Sequence, residues 1–96
     1  MSFLKEIRQE LGRLKPLLSE KYFVSEIGLF GSIVRDDFGE GSDIDIVVAF
    51  KKPVGIEFIE LADFLESNFN RKVDLVSRRG LKPNFLKEIE AEIQYV

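Results

Sequence analysis

The chain has 96 residues, a formal net charge of −3, and neither cysteine nor histidine. That length supports one small domain spanning 1–96, with room for a single core and none for a second substrate-binding domain. A Ser/His/Asp triad, a thiolate nucleophile, a disulfide and any His- or Cys-ligated metal site are excluded, which leaves carboxylate oxygen, a ligand suited to Mg²⁺ or Mn²⁺.

In chain order, Phe3, Leu4, Ile7, Leu11, Leu14, Leu17 and Leu18 recur at helical spacing among Lys, Arg and Glu, which predicts an amphipathic helix over 3–20. The start, Met1-Ser2-Phe3-Leu4-Lys5-Glu6, is charge-bearing and does not read as a signal peptide. No apolar run approaches the roughly eighteen residues of a membrane span, so a soluble, cytoplasmic protein is expected. A strand over 24–30 runs into Gly31-Ser32 and a short helix around 32–37. A loop with Gly39 and Gly41 follows, then a strand from Asp43 to Phe50.

Pro53 and Gly55 mark a connection. Phe58, Leu61, Ala62, Leu65 and Phe69 predict a helix over 56–69. A strand over 72–77 carries Asp74, and a last helix from about 83 offers Phe85 or Leu86, Ile89 and Ile93 as its core stripe. The fold class is α/β (α+β): a small mixed β-sheet flanked by helices.

Two features carry chemistry. In a strand, Asp43 and Asp45 would share one face with α-carbons roughly 6.6 Å apart, and two carboxylates so placed can converge on divalent cations. Ile44, Ile46, Val48 and Phe50 would face the core. Like charges side by side at the mouth of an apolar strand cost free energy unless cations or donors compensate them. Taken alone, the pair also fits a loop end with Asp45 facing solvent.

Gly31-Ser32 is the second feature. A glycine after a strand lets a phosphate approach the backbone, and a serine opening a helix either caps it or donates its hydroxyl to a phosphate oxygen. The combination of four fixed residues at fixed spacing arises by chance in roughly one chain of this length in a thousand.

At Gly31, Ser32, Asp43 and Asp45 the sequence resembles the nucleotidyltransferase superfamily that includes DNA polymerase beta and the aminoglycoside nucleotidyltransferases. It is most similar there to the minimal nucleotidyltransferases (MNT proteins). Their hallmark is Gly-Ser, ten residues, then Asp-x-Asp. The resemblance runs from about Val24 to Tyr95-Val96, and it implies the nucleotidyltransferase fold and a third carboxylate on a later strand, which Asp74 supplies. The chain departs from the pattern after Arg35, carrying Asp36-Asp37 where these proteins often have glycine and glutamate.

The resemblance implies AMP transfer from ATP, with Asp43, Asp45 and Asp74 as catalytic and metal ligands for two Mg²⁺ ions, and Gly31, Ser32 and Arg35 binding the nucleotide. It also implies a HEPN-domain toxin as partner and acceptor, through a tyrosine hydroxyl, in a hetero-oligomer. The protein would then be the antitoxin of a type VII toxin–antitoxin system. A non-catalytic antitoxin that occludes its partner, and a transferase for a small molecule or an RNA end completed by a helical subunit, are the alternatives.

The acidic balance argues against tight duplex binding, so a nucleotide fits better than a nucleic-acid helix. Phe58, Phe64 and Phe69 could stack a base, although their spacing also fits a core. Ile56, Ile59 and Phe64 widen the apolar face of their helix, as a protein interface would. Arg71, Lys72, Arg78, Arg79 and Lys82 form a local basic cluster that fits either a solvated rim or a triphosphate or acidic partner near Asp74. Arg35 could pair with Asp36 or Asp37, or reach a phosphate.

Overall fold

The computed structural model describes residues 3–35 and 37–96; Met1, Ser2 and Asp36 lie outside the described residues. The elements are α1 (Phe3–Tyr22), β1 (Val24–Phe30), α2 (Ser32–Arg35), β2 (Ile44–Phe50), α3 (Ile56–Phe69), β3 (Val73–Ser77), a 3-10 turn (Arg78–Gly80), α4 (Pro83–Glu90) and β4 (Gln94–Tyr95). No helix among the described residues is long and apolar enough to cross a membrane.

The strands form one mixed sheet in the order β3-β2-β1-β4. The glycine-bearing loop after α2 returns the chain antiparallel, so β1 pairs with β2. α3 crosses over the sheet instead, which makes β3 parallel to β2. This is the mixed α/β sheet that the sequence predicts.

Alternation along the strands sorts side chains onto two faces. Ile27 and Leu29 of β1, with Ile44, Ile46 and Val48 of β2, pack against Leu11, Leu14 and Leu18 of α1 and Leu61 and Leu65 of α3. Burial of each such aliphatic side chain contributes about 1.5–3 kcal/mol, so this face supplies most of the fold's stabilisation. On the other face Phe30, Val47 and Ile89 of α4 form a second, smaller cluster, joined by Val76, Leu81 and Ile93. Asp45 and Asp74 lie on that second face, beyond the end of its apolar cover.

Several expectations change in detail. α1 runs two residues further than 3–20, because Tyr22 still packs in the core and Phe23, at φ 61°, turns the chain out of the helix. Leu17 leaves the apolar stripe and is 41% exposed. The short helix ends at Arg35. Phe64 is not surface: its ring meets Tyr22 at 5.6 Å between centroids, while Ile56 and Ile59 remain exposed. Leu86 is half-buried and lines a groove instead of joining a core cluster, and Phe85 is exposed. The sequence gives no sign of β4, whose two residues pair with Gly28 and Leu29.

That pairing depends on Gly28. A Cβ there would stand 2.8 Å from Ile93 Cγ2 and 3.2 Å from the Gln94 carbonyl oxygen. Gly28→Ala is therefore expected to displace β4 and cost about 1–3 kcal/mol. Thermal melting checks this, each kcal/mol lowering Tm by roughly 4–8 °C in a domain of this size. An unchanged Tm would show that β4 does not brace the sheet.

Candidate active site

The centre of the site is set by register. In the parallel pair Asp45 lies opposite Asp74, and in the antiparallel pair Phe30 lies opposite Asp45. Neighbouring strands run about 4.8 Å apart, so the two carboxylates are brought together by the sheet itself. Asp43 stands one residue ahead of β2, whose ladder begins with Ile44 N–H donating to the Lys72 carbonyl at 3.0 Å. Phe30 also carries the chain into Gly31, and this puts the Gly-Ser turn beside the acids.

Gly31 is required there. Its φ is +78°, and a Cβ would fall on the Asp45 carboxylate, 2.9 Å from Cγ and closer still to Oδ2. The Gly31 carbonyl accepts the N–H groups of Val34 and Arg35 at 3.0 and 3.1 Å, which starts α2, and Ser32 is the first residue of that helix.

The electrostatics single out Asp45. Its carboxyl is pushed up from 3.8 to about 6, first by burial, then by the charges of Asp74 and Asp43 and a hydrogen bond shared with Asp74; Arg35 offsets part of this. Such a carboxyl lacks a counter-charge. A cation is the ligand it fits, and an all-oxygen donor set suits a hard divalent ion. Among the described residues no three acidic side chains close into a ready-made cage.

Sequence reasoning missed Glu92 at this site and placed Arg71 only within a basic cluster. Glu92 Oε1 accepts the Gly31 N–H at 2.9 Å and pairs with Arg35 Nη1 at 3.3 Å. Arg71 clasps the loop ahead of Asp43, donating to the Gly39 carbonyl at 2.5 Å with its guanidinium 4.4 Å from the centre of the Phe38 ring. A basic cluster near Asp74 was the only signal for Arg71. Nothing in a lone Glu near the C-terminus marks Glu92.

Arg78 and Arg79 of that basic cluster lie away from Asp74. Arg78 lies roughly 13 Å further along the strand direction, where it pairs with Glu90 at 2.7 Å and bonds the Tyr95 hydroxyl. With Lys51, Lys52 and Arg79 it lines a groove of about 890 Å³ at the opposite end of β2 and β3 from the carboxylates. Phe58 and Phe69 pack on the core, as does Phe64, which leaves base stacking without support. Arg35 pairs with Glu92 and stands 4.0 Å from Asp37; its other predicted partner, Asp36, is outside the described residues.

The family model of the nucleotidyltransferase domain matches residues 4–96, taking in α1 ahead of Val24. A protein named protein adenylyltransferase MntA, from Thermococcus cleftensis, is 42% identical over 97 residues, covering 100% of this chain and 98% of the relative. Among solved structures, a toxin–antitoxin crystal structure with AMP-PNP superposes with a TM-score of 0.74 at 28% identity, over 88% of this chain and 69% of that one. A complex of a tri-AMPylated Shewanella oneidensis HEPN toxin with an MNT antitoxin gives 0.61 at 27% identity, over 91% and 70%.

The raised Asp45 carboxyl has a consequence for stability. Because the folded chain binds this proton more tightly than the unfolded one, the benefit is present at low pH and is lost as pH rises from about 4 through about 6. Asp45→Asn is expected to raise the Tm of the cation-free chain near pH 7.5 and to leave it unchanged near pH 3.5, at roughly which point both forms are neutral. A Tm difference that does not vary with pH would contradict the raised Asp45 carboxyl.

Proposed function

Since the chain belongs to the nucleotidyltransferase domain family and is an enzyme of that class, we propose that it transfers AMP from ATP to a hydroxyl, a tyrosine hydroxyl by preference, of a HEPN-domain toxin. In this reading it is the antitoxin of a type VII pair, works in the cytoplasm, and forms a hetero-oligomer with its target. The observation that carries the proposal is the Asp45–Asp74 pairing beside the Gly31-Ser32 turn. The relative named protein adenylyltransferase and the AMPylated HEPN complex support the acceptor class.

Asp43, Asp45 and Asp74 would hold two Mg²⁺ ions. When bound, such ions neutralise triphosphate oxygens and lower the pKa of an acceptor hydroxyl. The Ser32 hydroxyl and the backbone around Gly31 bind the β- and γ-phosphates, and Arg35 adds a positive charge at the end of the same turn. Asp74 is the exposed member of the carboxylate pair and takes the proton of the incoming hydroxyl. The hydroxyl oxygen then bonds to the α-phosphorus and pyrophosphate leaves in line.

One observation favours a second reading, occlusion without transfer: Ile56 and Ile59 are 62% and 58% exposed on α3. Under occlusion Asp45→Ala leaves neutralisation of the toxin intact and Ile59→Asp abolishes it. Phe64 is unsuited to that comparison, because a charge there would break its contact with Tyr22.

Incubation of the chain with labelled ATP, Mg²⁺ and the purified HEPN-domain protein decides between them. Asp43→Ala is expected to cut label transfer by about 100-fold or more, a barrier increase on the order of 2.7 kcal/mol. Label that persists on the partner with Asp43→Ala would sink the transfer assignment.

A further inference from the structure

Glu92 is held by a part of the chain that has no other business with the site. Its backbone N–H and that of Ile93 donate to the Ile89 carbonyl at 2.9 and 3.0 Å, closing the end of α4. Directly after it, Gln94 and Tyr95 pair with β1, Val96 N–H donates to the Ile27 carbonyl at 2.9 Å, and Arg8 Nη1 of α1 donates to Gln94 Oε1 at 2.9 Å. These bonds fix the Glu92 main chain alongside the strand that leads into Gly31.

From that anchor one carboxylate reaches both ends of α2. It accepts Gly31 N–H at 2.9 Å, and Arg35 Nη1 lies 3.3 and 3.4 Å from its two oxygens. The helix between them has four residues. One turn of helix does not hold its own shape in water, so its geometry is set from outside. Arg35 is also close enough to Asp45 for its charge to favour the ionised carboxylate. Released from Glu92, the guanidinium would keep Asp37, 4.0 Å from its Nε, and the acids of the site as its negative neighbours.

We propose that Glu92 is a positioning residue for the nucleotide: it clamps the Gly31–Arg35 turn at both ends and holds Arg35 away from Asp43, Asp45 and Asp74, so that cations and not arginine fill the carboxylate site. This rests on the reading that a triphosphate binds at the turn. The Glu92–Arg35 pair then has a task distinct from bracing α4. That task can be separated from bracing, because glutamine keeps an acceptor for Gly31 N–H and loses only the charge.

The test is calorimetric titration of the chain alone with Mn²⁺, and with AMP-PNP in the presence of Mn²⁺. Glu92→Gln is expected to weaken both by about threefold to tenfold, the worth of one typical net hydrogen bond. Glu92→Ala, which also strands the Gly31 N–H, is expected to weaken AMP-PNP binding further. The decisive variant is Glu92→Gln combined with Arg35→Ala, in which Mn²⁺ affinity returns to that of the native chain because the competing guanidinium is gone. Mn²⁺ or AMP-PNP affinity in Glu92→Gln equal to or tighter than native would overturn the proposal, as would a double variant no better than Glu92→Gln. If the native chain itself binds no AMP-PNP, the nucleotide reading has failed and not the role of Glu92 within it.

Discussion

The structure turns on one piece of register: Asp45 opposite Asp74 across two parallel strands. Parallel pairing requires a crossover, and α3 provides it while burying Leu61 and Leu65 against the sheet. The crossover brings the chain to the edge of β2 opposite β1, running in the same direction as β2, so the acids arrive at the same end of both strands. A hairpin in that position would run β3 the other way and change which residue meets Asp45. The repulsion between these carboxylates is thus a consequence of topology, sustained by an apolar core on the opposite face of the sheet.

The two faces of the sheet divide the work. Among the described residues fifteen buried side chains form the principal cluster on one face, and only Phe30, Val47 and Ile89 are buried in the other. The thin cover on the second face ends before Asp45 and Asp74, and it leaves them room for ligands. β1 then serves the site twice, pairing Phe30 with Asp45 and delivering Gly31 where a side chain would collide with the Asp45 carboxylate. A glycine whose substitution would strike the Asp45 carboxylate ties the Gly31-Ser32 turn to the carboxylates as one unit.

Much of this was legible in the sequence because it rests on periodicity and local chemistry. The Ile44-Asp45-Ile46 alternation announced a strand with a core side, and Leu61 and Leu65 announced the crossover helix. What escaped notice depends on long-range contact. β4 is too short for a period, and it exists because Gly28 leaves space for Ile93 and Tyr95. Glu92 and Arg71 act over separations of 61 and 32 residues, on Gly31 N–H and the Gly39 carbonyl, and no local pattern records such partners. Phe64 looked like surface because its helix shows more apolar positions than one stripe needs, yet Tyr22 at the end of α1 covers it.

The described residues bring a pair of carboxylates and the Gly31-Ser32 turn to one end of the sheet. The most direct test of the central claim is a crystal structure with a non-hydrolysable ATP analogue and Mn²⁺, using anomalous scattering to locate the ions. The account predicts Mn²⁺ ligated by Asp45 together with Asp43 and Asp74, and the triphosphate against Gly31 and Ser32. Ions bound elsewhere, or an Asp74 carboxylate left without one, would contradict it.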